Sequence, residues 1–155
     1  MGKKNARRRA GNYQPGWSGI LRTYPDVYIW PGPAIDYILY DGGEPVGHAR
    51  TLWPGEDDVS EPVNLHLINI YDENKRGRGY GSALMSKFLD DVDRAGKKVI
   101  LYVEGHGNTK DAFIRYVNRN VRFYERFGFV LNDPSWADRF GWTGPFMTRP
   151  ARACT

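Results

Sequence analysis

Cysteine is all but missing. The 155 residues contain one, Cys154. A lone thiol allows neither an internal disulfide nor a thiolate metal cluster, so a reducing, cytoplasmic setting is expected. Long apolar runs are missing too, and none approaches the ~18 residues of a membrane span. The opening "MGKKNARRRAGNYQPG" has no apolar segment of the kind a secretory signal needs. It begins Met-Gly, but Ala6 stands where a myristoylation signal wants Ser or Thr. No set of His, Cys and carboxylate residues has metal-ligand spacing, so no metal is expected. Acid is absent from the first ten residues, which hold Lys3, Lys4, Arg7, Arg8 and Arg9. Taking those five from 22 basic residues leaves 17 against 18 acids, so the net charge of +4 resides in the arm.

What is present describes one folded domain, residues 17–155, behind a basic arm, residues 1–16. Apolar residues make up 41% and aromatics 14%, enough for a core at this length. The arm is either a solubilising tail or a loose grip on nucleic acid or ribosome through phosphates. "GILRTYPDVYIWPGPA" reads as a short strand plus irregular chain. Its aromatics Trp17, Tyr24, Tyr28 and Trp30 suit either a core or stacking on bases. "AIDYILYDGGEPVGHARTLW" reads as a hairpin turning at Asp-Gly-Gly, with Ile35, Tyr37 and Leu39 alternating before it. "VNLHLINIY" (63–71) is a further strand.

Leu84, Phe88 and Val92, with Met85 and Leu89, form the stripe of a helix that Gly96 stops. "KKVILYVEG" (97–105) is an apolar strand expected in the sheet centre. Phe113, Val117, Val121 and Tyr124 share one face of a second helix, which ends at Gly128. "FGFVLND" gives a short strand, and "FMTRP" a last edge strand closed by Pro150, where an edge can pair across a homodimer. The order predicts an α/β or α+β domain with a mixed sheet.

The chemistry concentrates in "RGRGYG" (76–81), between a strand and a helix. A dinucleotide fingerprint needs Gly-x-Gly-x-x-Gly and a Walker loop needs Gly-Lys-Ser/Thr; neither is present. A helix's first turn nonetheless offers unpaired N–H groups and a partial positive charge. Gly77, Gly79 and Gly81 let an anion approach them, and Arg76 and Arg78 add charge, so a pyrophosphate fits. The alternative is a tight turn whose glycines serve helix–sheet packing.

A second landmark, "NRNVRFYERFGF" (118–129), follows about forty residues later. Together the two segments resemble the Gcn5-related N-acetyltransferase (GNAT) superfamily, whose loop reads Gln/Arg-x-x-Gly-x-Gly/Ala and whose later signature is Asn…Phe/Leu-Tyr-x-x-x-Gly-Phe. The resemblance covers about residues 35–132, and short size and "FYERFGF" make it similar to phage-encoded members. It implies a GNAT-like mixed, mostly antiparallel sheet with a splayed central strand pair, flanked by helices, and an acetyl-CoA-dependent N-acetyltransferase acting on an amine of a small molecule or protein. The pantetheine arm would lie against Asn69, Ile70 and Tyr71. Arg76, Gly77, Arg78, Gly79, Tyr80, Gly81 and Ser82 would hold the pyrophosphate, and Asn120 (or Asn118) would contact the CoA arm.

Tyr124 matches the family tyrosine that protonates the departing thiolate: a phenol of pKa ~10 facing a thiol of ~8.5. The family's usual glutamate does not transfer, since Leu65 and Tyr102 take its places. His66, Glu104 and Asp72 are the local candidates for the base. His66, with a reference pKa of ~6.5, suits proton acceptance, or is a strand histidine packed on the sheet. His48 and His106 carry less weight. A non-catalytic nucleic-acid or ribosome-binding module of the same fold is the rival reading, as is a transferase acting on nucleic acid or a protein bound to it.

Overall fold

The computed structural model describes residues 19–25, 28–29, 32–55 and 60–152. The basic arm and Trp17 and Trp30 lie outside them. The strands are β1 (Gly19–Thr23), β2 (Tyr28–Ile29), β3 (Gly32–Asp41), β4 (Glu44–Leu52), β5 (Val63–Ile70), β6 (Val99–Tyr102), β7 (Val130–Leu131) and β8 (Phe146–Arg149). Two helices, α1 (Tyr80–Arg94) and α2 (Lys110–Glu125), follow β5 and β6. One mixed sheet runs β1-β3-β4-β5-β6-β8-β7, with β2 paired to the start of β3. Every pairing is antiparallel except β5 with β6.

The β3–β4 hairpin turns where its sequence predicts. Gly42 and Gly43 have φ of 60° and 85°. Two successive positive φ values give the twist that matches a two-residue hairpin, and glycine adopts them without a Cβ clash. Helix α1 buries Leu84, Met85, Phe88, Leu89 and Val92 against β3, β4 and β5. Gly96, at φ 64°, ends it as expected. Helix α2 starts at Thr109, whose side chain accepts from the Ala112 N–H at 3.1 Å, and buries Phe113, Val117 and Val121. One continuous core joins both helices to the sheet.

Two expectations fail. "FMTRP" is not an edge strand, because β8 lies between β6 and β7. The strand at that end is β7, so the proposed pairing of the last strand across a dimer has no free edge to use. Arg149 of β8 is 2% exposed. Its guanidinium donates to both Asp93 oxygens of α1, at 2.8 and 3.1 Å, and to the Phe127 carbonyl at 2.8 Å. The second failure is local: β6 spans four residues, not nine, and its last, Tyr102, is exposed.

Candidate functional site

The site begins with a strand that loses one partner. Val63, Asn64 and Leu65 of β5 pair with Val99, Ile100 and Leu101 of β6, and pairing stops there. From His66 to Ile70, β5 keeps β4 alone, while β6 stays with β8 through Tyr102 and Phe146. The divergence coincides with a β-bulge. Leu65 faces Thr51 and Leu67 faces Arg50, so His66 is the extra residue on β5. The outer half of β5 thus turns an unpaired backbone edge toward the gap. Asn69 and Ile70 lie on that half. Tyr71 differs, because its N–H donates to the Val46 carbonyl at 3.0 Å. The expected backbone contact from Tyr71 is therefore limited to its carbonyl.

The chain leaves β5 through a one-turn 3-10 segment (Glu73–Lys75) and enters the glycine stretch. Asp72 caps that turn, accepting from the Asn74 N–H at 2.9 Å, and it is not among the residues lining the cleft described below. Gly77 and Gly79 both have φ of 83°, and Gly79 is the N-cap of α1 with no capping side chain. A Cβ on either glycine would meet nothing within 4 Å, so neither is there for helix–sheet packing. Their φ requires glycine, and the space beside them is open. Gly81 is different, since a Cβ there would touch Phe123 at 3.5 Å. The N–H groups of Tyr80, Gly81 and Ser82 open the helix without preceding carbonyls to receive them. Arg76 is exposed, with one loose contact to Glu73 at 4.0 Å. The Tyr80 hydroxyl donates to Asp41, and that bond raises its pKa. This loop fits a diphosphate: bare N–H donors, two arginines and no side chain in the way.

Where β5 and β6 part, a cleft of about 200 Å³ is lined by His66, Tyr102, Glu104 and Phe146, together with the last paired residues of the two strands, Asn64, Leu65, Ile100 and Leu101. The two base candidates His66 and Glu104 therefore share one cleft. Glu104 is exposed and has no ion-pair partner among the described residues. Tyr124 is packed on the rings of Phe123 and Phe129, at 5.4 and 5.9 Å. Burial pushes its phenol up to about 12, and the charges of Tyr116 and Glu104 push the same way. It stays protonated throughout the neutral range. Asn120 stands one turn before Tyr124 and shares its face, whereas Asn118, six residues back, points about 120° away.

The remaining histidines stand apart. His106 packs its ring edge-on against Tyr116 at 5.0 Å. His48 lies on β4 against Tyr71, at 5.4 Å, and its buried Nδ1 has no partner among the described residues. Burial lowers its pKa, so it is neutral. Among the described residues no group of three metal-ligating side chains converges, and no helix is long and apolar enough to cross a membrane. Sequence reasoning put Tyr102 at a position of the family's glutamate without giving it a part in the cleft, and it missed Phe146 altogether. Tyr102 ends a strand at the open side of the sheet, a usable signal; Phe146 offers none.

The sequence model described as "Acetyltransferase (GNAT) family" matches residues 11–129. An acetyltransferase from Thermus thermophilus has TM-score 0.53 and 24% identity, over 76% of this chain and 64% of that one. ElaA of Escherichia coli has TM-score 0.52 and 25% identity, over 76% and 69%. Arabidopsis thaliana Naa50, in complex with the bisubstrate analogue CoA-Ac-MVNAL, has TM-score 0.55 and 19% identity, over 74% and 71%. The chain thus spans just under two thirds of the Thermus protein's length. The search of curated proteins gave no match.

Proposed function

Since the chain belongs to the GNAT acetyltransferase family, we propose that it binds acetyl-CoA in the gap between β5 and β6 and transfers the acetyl group to an amine. The observation that carries this reading is the juxtaposition of an uncapped, glycine-lined helix start with a strand whose outer half lacks a partner. Acetyl-CoA supplies the acetyl group as a thioester, whose C–S bond is exchanged for a C–N bond to the amine. The backbone of Gly77–Ser82 receives the diphosphate, with Arg76 and Arg78 beside it. The free edge at Asn69 and Ile70, with the Tyr71 carbonyl, holds the extended arm, and Asn120 supports it from α2. Tyr124, kept protonated by burial, donates its proton to the departing sulfur. The proton leaving the amine passes to His66 or Glu104, the two proton acceptors in the cleft.

Calorimetric titration with acetyl-CoA, beside CoA and at two salt concentrations, tests the reading. Micromolar binding at one site supports it, and no heat with either ligand sinks it. Tyr124→Phe then separates binding from chemistry. The expected outcome is a kcat lower by about 100-fold at unchanged acetyl-CoA affinity; an unchanged kcat removes Tyr124 as the donor. The five charges at residues 3–9 support nucleic acid as a further partner, whose binding would weaken steeply with salt and vanish when residues 1–16 are deleted.

A further inference from the structure

Two large aromatic rings lie open in the cleft. Tyr102 is 40% exposed and Phe146 55% exposed. They are register partners on β6 and β8, with ring centroids 5.3 Å apart and planes inclined by 55°. The Tyr102 hydroxyl accepts the Gly144 N–H at 2.9 Å, which pins its ring, and the Phe146 backbone is held by Tyr102 on one side and by the Asn132 N–H, at 3.0 Å, on the other. An exposed aromatic pair on a rigid sheet calls for an occupant, since large exposed apolar surfaces are the informative ones. The charge around it is one-sided. Glu104 is the cleft's carboxylate, His66 is its single basic side chain, and no Lys or Arg among the described residues lines it. Aromatic faces and a carboxylate both favour a cation and disfavour an anion.

We propose that the acceptor is a cationic amine on an apolar carbon skeleton, laid across the Tyr102–Phe146 pair with its charged end toward Glu104, and that amines carrying a carboxylate or phosphate are rejected. The proposal rests on the transferase reading and names the substrate class of that same site.

The test uses the full chain saturated with CoA, titrated calorimetrically with size-matched primary amines. An alkyl diamine and a phenylalkylamine are set against the amino acids that differ from each by one carboxylate. The cationic members are expected to bind at least ~10-fold tighter. Phe146→Leu keeps the bulk and removes the ring face, and is expected to weaken cation binding ~3-fold or more. Phe146→Lys places a charge there and is expected to weaken it more than ~10-fold, with CoA affinity unchanged in both. A carboxylate-bearing amine that binds as well as its cationic partner overturns the proposal, whatever the variants do. No CoA binding by the wild type sinks the transferase reading and this proposal with it. CoA binding with no preference among amines sinks this proposal alone.

Discussion

At its first turn, helix α1 presents Tyr80, Gly81 and Ser82 with no capping side chain, behind two glycines in the left-handed region. At its last turns, Asp91 and Asp93 are gripped from four directions. Asp91 accepts from the Tyr37 hydroxyl at 2.7 Å and pairs with Arg22 and Lys87 at 3.4 and 3.5 Å; Asp93 pairs with Arg149 at 2.8 Å. Two acids at the C-terminal end oppose the helix dipole, and the cations around them cancel that penalty. One end is moored to β1, β3 and β8. The other, about 20 Å away, is left bare and fits an anion. The proposed function thus assigns stability and binding to different residues of the same helix, which predicts that each can be altered without the other.

Four experiments probe that separation. Asp93→Ala leaves the buried Arg149 guanidinium without its carboxylate and is expected to cost about 3 kcal/mol, lowering Tm by about 10 °C. CoA affinity should stay within about twofold, because the change lies at the far end of the helix. A large loss of affinity in the folded variant would mean that the two ends are coupled. Gly79→Val does the reverse. A β-branched side chain at φ 83° fills the approach to the bare N–H groups, and CoA binding should fall by more than ~100-fold. Calorimetry on protein that still melts cooperatively reads this outcome directly, and retained binding would move the diphosphate elsewhere.

Tyr37→Phe removes one hydrogen bond to a buried carboxylate that keeps two cations, and should cost about 2 kcal/mol in a urea melt. Burial, and then Asp91, hold the Tyr37 hydroxyl far above its ordinary pKa, so this bond is insensitive to pH across the neutral range. The smallest effect is acid dependence at Asp93. The hydrogen bonds from Arg149 hold its carboxyl below the usual range. A depressed folded pKa contributes stability above the unfolded value, ~3.9, that is lost as pH falls through the lower folded one. Asp93→Asn should therefore flatten part of the stability loss below about pH 4. Parallel curves for wild type and variant would assign that loss to other carboxylates.

Both helices, the hairpin and the glycine loop were legible because each is written in consecutive residues. The stripe of α1 repeats every three or four positions, and the turn of the hairpin is a Gly-Gly pair. The rest depends on partners distant in the chain. Arg149 looks like an edge-strand residue until Asp93, 56 positions earlier, is placed against it. The bulge at His66 hides inside "VNLHLINIY", because an extra residue changes which neighbours oppose each other without spoiling the apolar pattern. Phe146 became a cleft residue when β8 paired with β6, a connection across 44 residues that no local pattern announces. His66 and Glu104, by contrast, were both candidates for the base, and the fold puts them in one cleft.

The position of β8 between β6 and β7 also sets when the sheet can be completed as the chain is made, because β8 follows both in sequence. Until residues 146–149 emerge, β6 carries an open edge, and β7 has no strand to pair with among the described residues. A nascent chain stalled or cut short before Phe146 would hold a nearly complete sheet with a raw seam through it, a template for another chain's strand. The four-residue strand β8 thus acts as a closure of the sheet.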